Sequence, residues 1–371
     1  MTIWNGVFEY VLPFLFVLTV LVFFHELGHY WVARRNGVRI EVFSIGFGPE
    51  IFGFKDKSGT RWRFSAIPLG GYVKMFGENF AQDEPEQELT DEEKEVSFFH
   101  KRLGQRAAIV AAGPIANYIL AIVLWTCLFA TSGYPGQMFA GVGSVTPGSA
   151  AATAQMKPGD RIVEINNQKV TFFNDLRAIV SKNPGKELSF KIIREGKFID
   201  IKATPKKHVE TGKGGVKREI GRLGVGFDGQ QREFIEKNPV EAVWLATRDS
   251  AVFTGKVLSY LGQMIVGKQS AEDLGGPIRI AEISGQAFKL GWYTLFSFMA
   301  ILSLNLGLIN LFPIPVLDGG HLAMYGAEAI RGRPLSLKVQ EMSFRVGFVL
   351  VMFLIVFATW NDVANHLFRS N

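Results

Sequence analysis

Residues 7–33 read VFEYVLPFLFVLTVLVFFHELGHYWVA, and this stretch decides the fold. A hydrocarbon core about 30 Å thick takes roughly 20 mainly apolar helical residues to cross. The run is long enough, yet it carries His25, Glu26 and His29 near its C-terminal end. Polar groups of this kind are costly inside a membrane unless they serve a site. No basic region precedes the apolar run and no small-x-small cleavage pattern follows it, so it reads as a retained span rather than a cleaved signal.

Working outward, three further stretches have the same character: about Ala107 to Thr131, about Trp292 to Phe312, and about Phe344 to Ala364. Hydrophobic residues make up 48% of the 371-residue chain and charged residues 20%. The apolar residues are concentrated in these blocks and the charges lie between them. A net charge of +6 does not point to nucleic acid, because the basic residues are scattered and mostly flank apolar blocks. Arg34, Arg35 and Arg39 follow the first span, Lys101, Arg102 and Arg106 precede the second, and Arg331, Arg333, Lys338 and Arg345 lie between the third and fourth. The positive-inside rule makes both of these loops cytoplasmic and puts both termini and the long section between spans two and three outside. The single cysteine, Cys127, leaves neither a disulfide framework nor a thiolate metal site.

The connecting segments differ in kind. Residues 38–77 alternate β-branched and aromatic residues with Gly-containing turns and predict a small β element at the membrane surface. Residues 78–95 hold nine acidic side chains against Lys94 alone and predict a solvated, flexible loop within a cytoplasmic segment 78–103. Residues 134–207 read as a compact α+β domain. Within a linker assigned to 208–289, apolar residues from Pro239 to Val266 recur at helical spacing; an amphipathic helix on the outer membrane surface and a helix packed on the domain are both consistent with that pattern. The remaining divisions are 1–37 and 104–133 for the first two spans, 290–340 for the third with its loop, and 341–371 for the fourth.

In His25-Glu26-Leu27-Gly28-His29 one helical turn puts both imidazoles on one face, where each can offer a nitrogen to one Zn²⁺. Glu26 points elsewhere on the helix, free to hold a water on the metal, take its proton and return it to a leaving amine. A hydrolytic zinc site needs a third protein ligand and one open position. Asn310-Leu-Phe-Pro313-Ile-Pro315-Val-Leu-Asp318-Gly-Gly-His321 follows the third span directly, and its prolines and glycines should unwind the helix where a cavity permits. Asp318 and His321 are rival third ligands by this reading, with a turn role the alternative for Asp318. Asn310 suits contact with the substrate backbone or an oxyanion; a helix-end amide is its alternative. His100, His208 and His366 have no spaced partner and read as surface residues.

HELGH in a first span and LDGGH after a third, with SIGFGP (44–49) and PLGGYVKM (68–75) between them, resemble the bacterial site-2 proteases of the regulator-of-sigma-E type. The likeness runs in order along nearly the whole chain. It implies a polytopic α-helical membrane protein with four transmembrane helices, a membrane-associated β element and an inserted α+β domain. It implies one zinc ion held by His25, His29 and Asp318, with Glu26 as catalytic base, and it places Asn310 and Pro313 near bound substrate. Substrates would be single-span membrane proteins, anti-sigma factors above all and remnant signal peptides second, cut in the bacterial inner membrane during regulated intramembrane proteolysis. GVGSVTPGSAAATAQMKPGDRIVEINNQKV (141–170) resembles a PDZ domain of the bacterial protease kind. That domain would bind chain ends or a regulatory partner near Gly141 and Gly143. Well-known members carry two such units in tandem where this chain has one. Two rival classes, a membrane scaffold with an inactive metal site and a metal transporter, fit less well: Glu26 is intact, and four spans lack paired transporter symmetry.

Overall fold

The structure is a computed structural model, and it describes residues 6–77, 89–211, 217–227, 232–269 and 275–369. The chain forms two compact units, one of residues 1–128 with 238–371 and one of residues 129–237.

In the first unit, a π-helical turn (Val7–Val11) runs into α1 (Leu12–Arg35). Pro13 sits where a helix start tolerates it, and α1 ends at Asn36, followed by Gly37 with φ 69°. Two long strands follow, β1 (Ile40–Lys55) and β2 (Arg61–Met75). Both fold back on themselves. Ile40 lies opposite Met75 and Phe43 opposite Val73, while on its other side Phe43 lies opposite Trp62; farther out, Phe54 pairs with Trp62 and Lys55 with Arg61. Residues 71–75 and 50–55 therefore form the outer lanes of this sheet. Its inner residues Phe43, Ile45, Val73 and Met75 pack on Tyr30 and Ala33 of α1 and on Ile109 and Val110. Toward the turn, Ile51 (75% exposed) and Phe52 (60%) stand out from the protein; their exposure fits lipid rather than water as the neighbour.

The acidic segment divides. Residues 78–88 of the predicted flexible loop lie outside the described residues. Residues 91–96 are ordered as α2 (Asp91–Val96), because Thr90 and Glu93 form a reciprocal capping box. The second apolar block is α3 (Leu103–Thr131), with Pro114 inside it.

The second unit has short elements: β3 (Tyr134–Met138), β4 (Val142–Val145), α4 (Ala150–Thr153), β5 (Arg161–Ile165), β6 (Gln168–Lys169), α5 (Phe173–Ser181), β7 (Leu188–Arg194), β8 (Lys197–Ala203), β9 (Lys206–Thr211), β10 (Lys217–Arg222), β11 (Val225–Phe227) and β12 (Arg232–Ile235). A four-stranded sheet β6-β5-β7-β8 encloses a core of Ile162, Ile165, Leu176, Leu188, Phe190 and Ile192. The unit is larger than 134–207. Described residues of the segment expected in a linker, 217–227 and 232–237, return to it: β11 pairs with β4 and β12 with β3. The physical reason is edge satisfaction, since β3 and β4 would otherwise expose unpaired backbone groups.

The first unit resumes with α6 (Pro239–Ile265), whose N-terminus is capped by Asn238 Oδ1 accepting from Glu241 N–H at 2.8 Å. Its small residues Ala242, Ala246 and Ser250 are buried, while Val240, Trp244 and Ile265 are exposed. The face packed on protein is thus the small-residue face, not the bulky apolar one. Next come α7 (Pro277–Lys289), α8 (Trp292–Asn310), α9 (Asp318–Arg331) and α10 (Leu337–Arg369). Gly276 offers α7 no capping side chain, and Asp362 of α10 substitutes by accepting from Gly276 N–H at 2.8 Å and Arg279 N–H at 3.0 Å. Among the described residues, four helices are long and apolar enough to cross a membrane: Phe8–Arg35, Leu103–Thr131, Trp292–Asn310 and Lys338–Ala364.

Candidate metal centre

One helical turn separates His25 from His29 on α1, and the structure brings their Nε2 atoms to 3.2 Å from each other. Both residues are buried. Asp318 opens α9 on the far side of the chain, and its Oδ2 lies 3.2 Å from His25 Nε2 and 3.6 Å from His29 Nε2. Three donor atoms thus converge within 4.8 Å of one another.

The loop between α8 and α9 delivers Asp318. A Cβ on Gly319 would meet Phe312 O at 2.2 Å and Leu311 O at 2.3 Å, and one on Gly320 would meet Ile314 O at 2.4 Å. Glycine is required at both positions because the loop doubles back directly onto the helix start. Val316 pays for the reversal with φ 90°, uncommon for a β-branched residue.

Several observations test whether these residues fit a metal ion. Zinc bonds of about 2.0–2.1 Å in tetrahedral array hold donor atoms about 3.3 Å apart, close to the three separations found. Asp318 Oδ2 is buried with no hydrogen-bond partner, a state that is costly without a cation. His29 Nδ1–H donates to the Ile109 carbonyl at 2.9 Å, which leaves the Nε2 lone pair facing the site. The donor set, two imidazoles and one carboxylate, is the set that hydrolytic zinc sites use.

α3 makes the close approach possible. A Cβ on Gly113 would lie 2.3 Å from His29 Nε2 and 2.9 Å from His25 Cε1. The sequence reading missed Gly113 and Asn117, whose amide faces His25 Nδ1. The signal available was a Gly-Pro pair and a buried amide within an apolar span.

Glu26 lies with the two histidines and Asp318 in a cavity of about 550 Å³, also lined by Tyr72, Val73 and Met75 of β2. The Val73 backbone N–H hydrogen-bonds the Glu26 carboxylate, so the sheet holds the side chain beside the converging donors. Also in the cavity lining, Arg106 of α3 pairs with Glu328 of α9 at 2.6 Å, both side chains largely buried. Arg106 is thus an internal partner as well as a flanking charge.

The remaining predicted site residues are placed elsewhere. His321 lines the cavity with its ring 5.2 Å from Phe344 and is not among the three converging groups. Asn310 ends α8 and Pro313 is exposed in the following loop; the cavity lining contains neither. In the second unit Gly141 is buried and bridged to Arg161. β4, which contains Gly143, is bordered by β11 on one side, and Val142 exchanges backbone hydrogen bonds with Gly159 and Asp160 on the other. On that side the hydrogen bonds engage Val142 at the start of β4. Among the described residues, β11 pairs only with β4, and its Phe227 stands 6.1 Å from Phe173 of α5.

Comparisons with known proteins give a consistent family. The family model described as peptidase family M50 matches residues 13–354. A protein of Agrobacterium fabrum named as a candidate zinc metalloprotease is 46% identical over 365 residues, covering 96% of each chain. One of Rhizobium meliloti named in the same way is 45% identical over 97% of this chain and 98% of its own. The metalloprotease MmpA of Caulobacter vibrioides is 36% identical over 94% of each chain.

Proposed function

The chain belongs to peptidase family M50 and is a zinc metalloprotease of the membrane, and from that premise we propose that it cleaves peptide bonds within or beside the membrane segments of single-span proteins. Anti-sigma factors are the first substrate class and remnant signal peptides the second, in regulated intramembrane proteolysis at the bacterial inner membrane. The observation that carries this reading is the position of the reacting groups. His25, Glu26 and His29 all belong to a helix apolar enough to cross a membrane, and Asp318 reaches them from the start of α9, eight residues beyond the end of another such helix at Asn310.

His25, His29 and Asp318 would hold the ion. When bound, zinc acts as a Lewis acid that polarises a peptide carbonyl and makes a coordinated water more acidic. Glu26 accepts the proton of the attacking water as the new C–O bond forms, and then delivers it to the departing amine nitrogen as the C–N bond breaks. The Val73 N–H keeps the Glu26 carboxylate aimed during both transfers. Burial of the histidines limits the competition of bulk water for these groups.

The reading extends to orientation and to the second unit. Basic flanks put the termini and residues 129–237 outside the cytoplasm. The second unit acts as a PDZ domain that takes a chain end or extended strand, or a regulatory partner, at the edge of β11 beside α5.

The test is Glu26→Gln in the full-length protein with a single-span reporter. Zinc content should stay at wild-type level while cleavage falls by about 10²–10⁴-fold, the scale of general acid–base catalysis. Cleavage at the wild-type rate would overturn the mechanism. Capture of endogenous membrane proteins on the same variant identifies the substrates.

A further inference from the structure

The outer nitrogens of the two histidines are held differently. His29 Nδ1 faces a main-chain carbonyl, an acceptor that cannot change character. His25 Nδ1 lies 3.1 Å from Asn117 Nδ2, part of a wholly buried side-chain amide. An amide presents either its oxygen or its NH₂ to the same point after a half-turn of its terminal torsion.

The two orientations have opposite consequences at the metal centre. With Nδ2 toward the ring, His25 Nδ1 must accept, so its proton sits on Nε2, 3.2 Å from Asp318 Oδ2. In that state Asn117 Oδ1 is buried with no hydrogen-bond partner; the half-turn sets Nδ2 in the same place, so the orientation is decided by the atom presented to the ring. After the half-turn Oδ1 accepts from Nδ1–H, and the Nε2 lone pair points at the converging donors. No net charge moves. The main chain at this point is anchored, since Ser303 Oγ–H of α8 donates to the Asn117 carbonyl at 2.7 Å. Side-chain rotation is therefore the freedom that remains. Ile109, Gly113 and Asn117 recur every four residues on one face of α3. That face supplies the acceptor for His29, the space for both rings, and the amide for His25.

We propose that Asn117 is a positioning residue whose amide, turned to present Oδ1 to His25 Nδ1, selects the tautomer of His25 that binds zinc. The proposal rests on the zinc protease reading and adds to it the group that leaves His25 Nε2 unprotonated and free to act as a ligand.

The experiment uses the full-length protein in detergent, with zinc affinity read by chelator competition and ligand geometry by the absorption spectrum of the cobalt-substituted protein. Asn117→Ala removes the acceptor, and its zinc affinity should fall by about 10–100-fold, the range for partners of ligating histidines, with an altered cobalt spectrum. Asn117→Asp keeps an oxygen toward Nδ1–H and should bind zinc near the wild-type level. Thermal melting of the metal-free proteins separates lost ligation from lost folding; if Asn117→Ala does not fold, Asn117→Asp decides alone. Unchanged zinc affinity and cobalt spectrum in a folded Asn117→Ala, or weak binding by Asn117→Asp, would overturn the assignment. A wild-type chain that retains no zinc would instead overturn the protease reading itself, so the two failures are distinct.

Discussion

Two turns in this molecule look alike in sequence and behave in opposite ways. Lys157-Pro-Gly-Asp160 lies in the second unit and Pro315-Val-Leu-Asp318-Gly-Gly in the first, and each places an aspartate among prolines and glycines. Asp160 is completely buried. Both of its oxygens are used: Arg194 Nε and Nη2 each donate to it at 2.6 Å, and the Lys157 N–H donates at 2.8 Å. Asp318 instead keeps Oδ2 buried without a hydrogen-bond partner, facing two imidazole nitrogens. A buried carboxylate that is fully paired holds a fold together, whereas one left open beside other ligand atoms is a place for a cation.

The largest effect that can break this comparison is expected at Asp318. Asp318→Asn should lower zinc affinity by more than about 100-fold, beyond the range for outer partners of zinc ligands, and abolish cleavage. Metal analysis and reporter cleavage on the same preparation check it. Asp160→Asn should do the reverse. It strands a mostly buried Arg194 and should destabilise the second unit by about 3 kcal/mol, while metal content stays unchanged. Hydrogen exchange resolved over residues 129–237 reads the first outcome and metal analysis the second.

Arg106 and Glu328 sharpen the comparison, because this paired carboxylate lies inside the catalytic cavity. If pairing marks structure, Arg106→Glu and Glu328→Arg alone should each destabilise the protein by about 2–3 kcal/mol. The double exchange should recover part of the loss, and a double-mutant cycle on thermal stability measures the coupling. The smallest effect is expected at Asp56, which ties the outer turn of the sheet to α1. Burial pushes its carboxyl up, but hydrogen bonds from Ser58, Trp62 and Tyr30 outweigh that and hold it well below the usual carboxylate range. Because the folded-state value is depressed, its contribution is present above the unfolded value near 3.8 and lost as pH falls below it. Hydrogen exchange across residues 55–63 should rise below about pH 4 in the wild-type protein, and Asp56→Asn should flatten that dependence.

The sequence alone determined a good part of this protein. Length and hydropathy determined the four spans, because crossing a bilayer demands a continuous apolar run. The four-residue spacing of His25 and His29 determined that two imidazoles share one face, since α-helix geometry is local. Thr90 and Glu93 would have revealed α2, had the acidity around them not suggested a flexible loop. Other features were decided only by the tertiary structure. Spacing and composition left the third ligand open between Asp318 and His321, with Asp318 implied only by the family resemblance; the loop, doubling back on Gly319 and Gly320, sets Asp318 Oδ2 beside both rings. The return of residues 217–227 and 232–237 to the second unit rests on strands of three to six residues, too short to carry a periodic signal. The hold of Ile109 on His29 comes from a backbone carbonyl, which every residue possesses, so no side chain could announce it. Such features depend on which distant atoms meet, and proximity between residues 80 or more apart in sequence is a property of the packed chain.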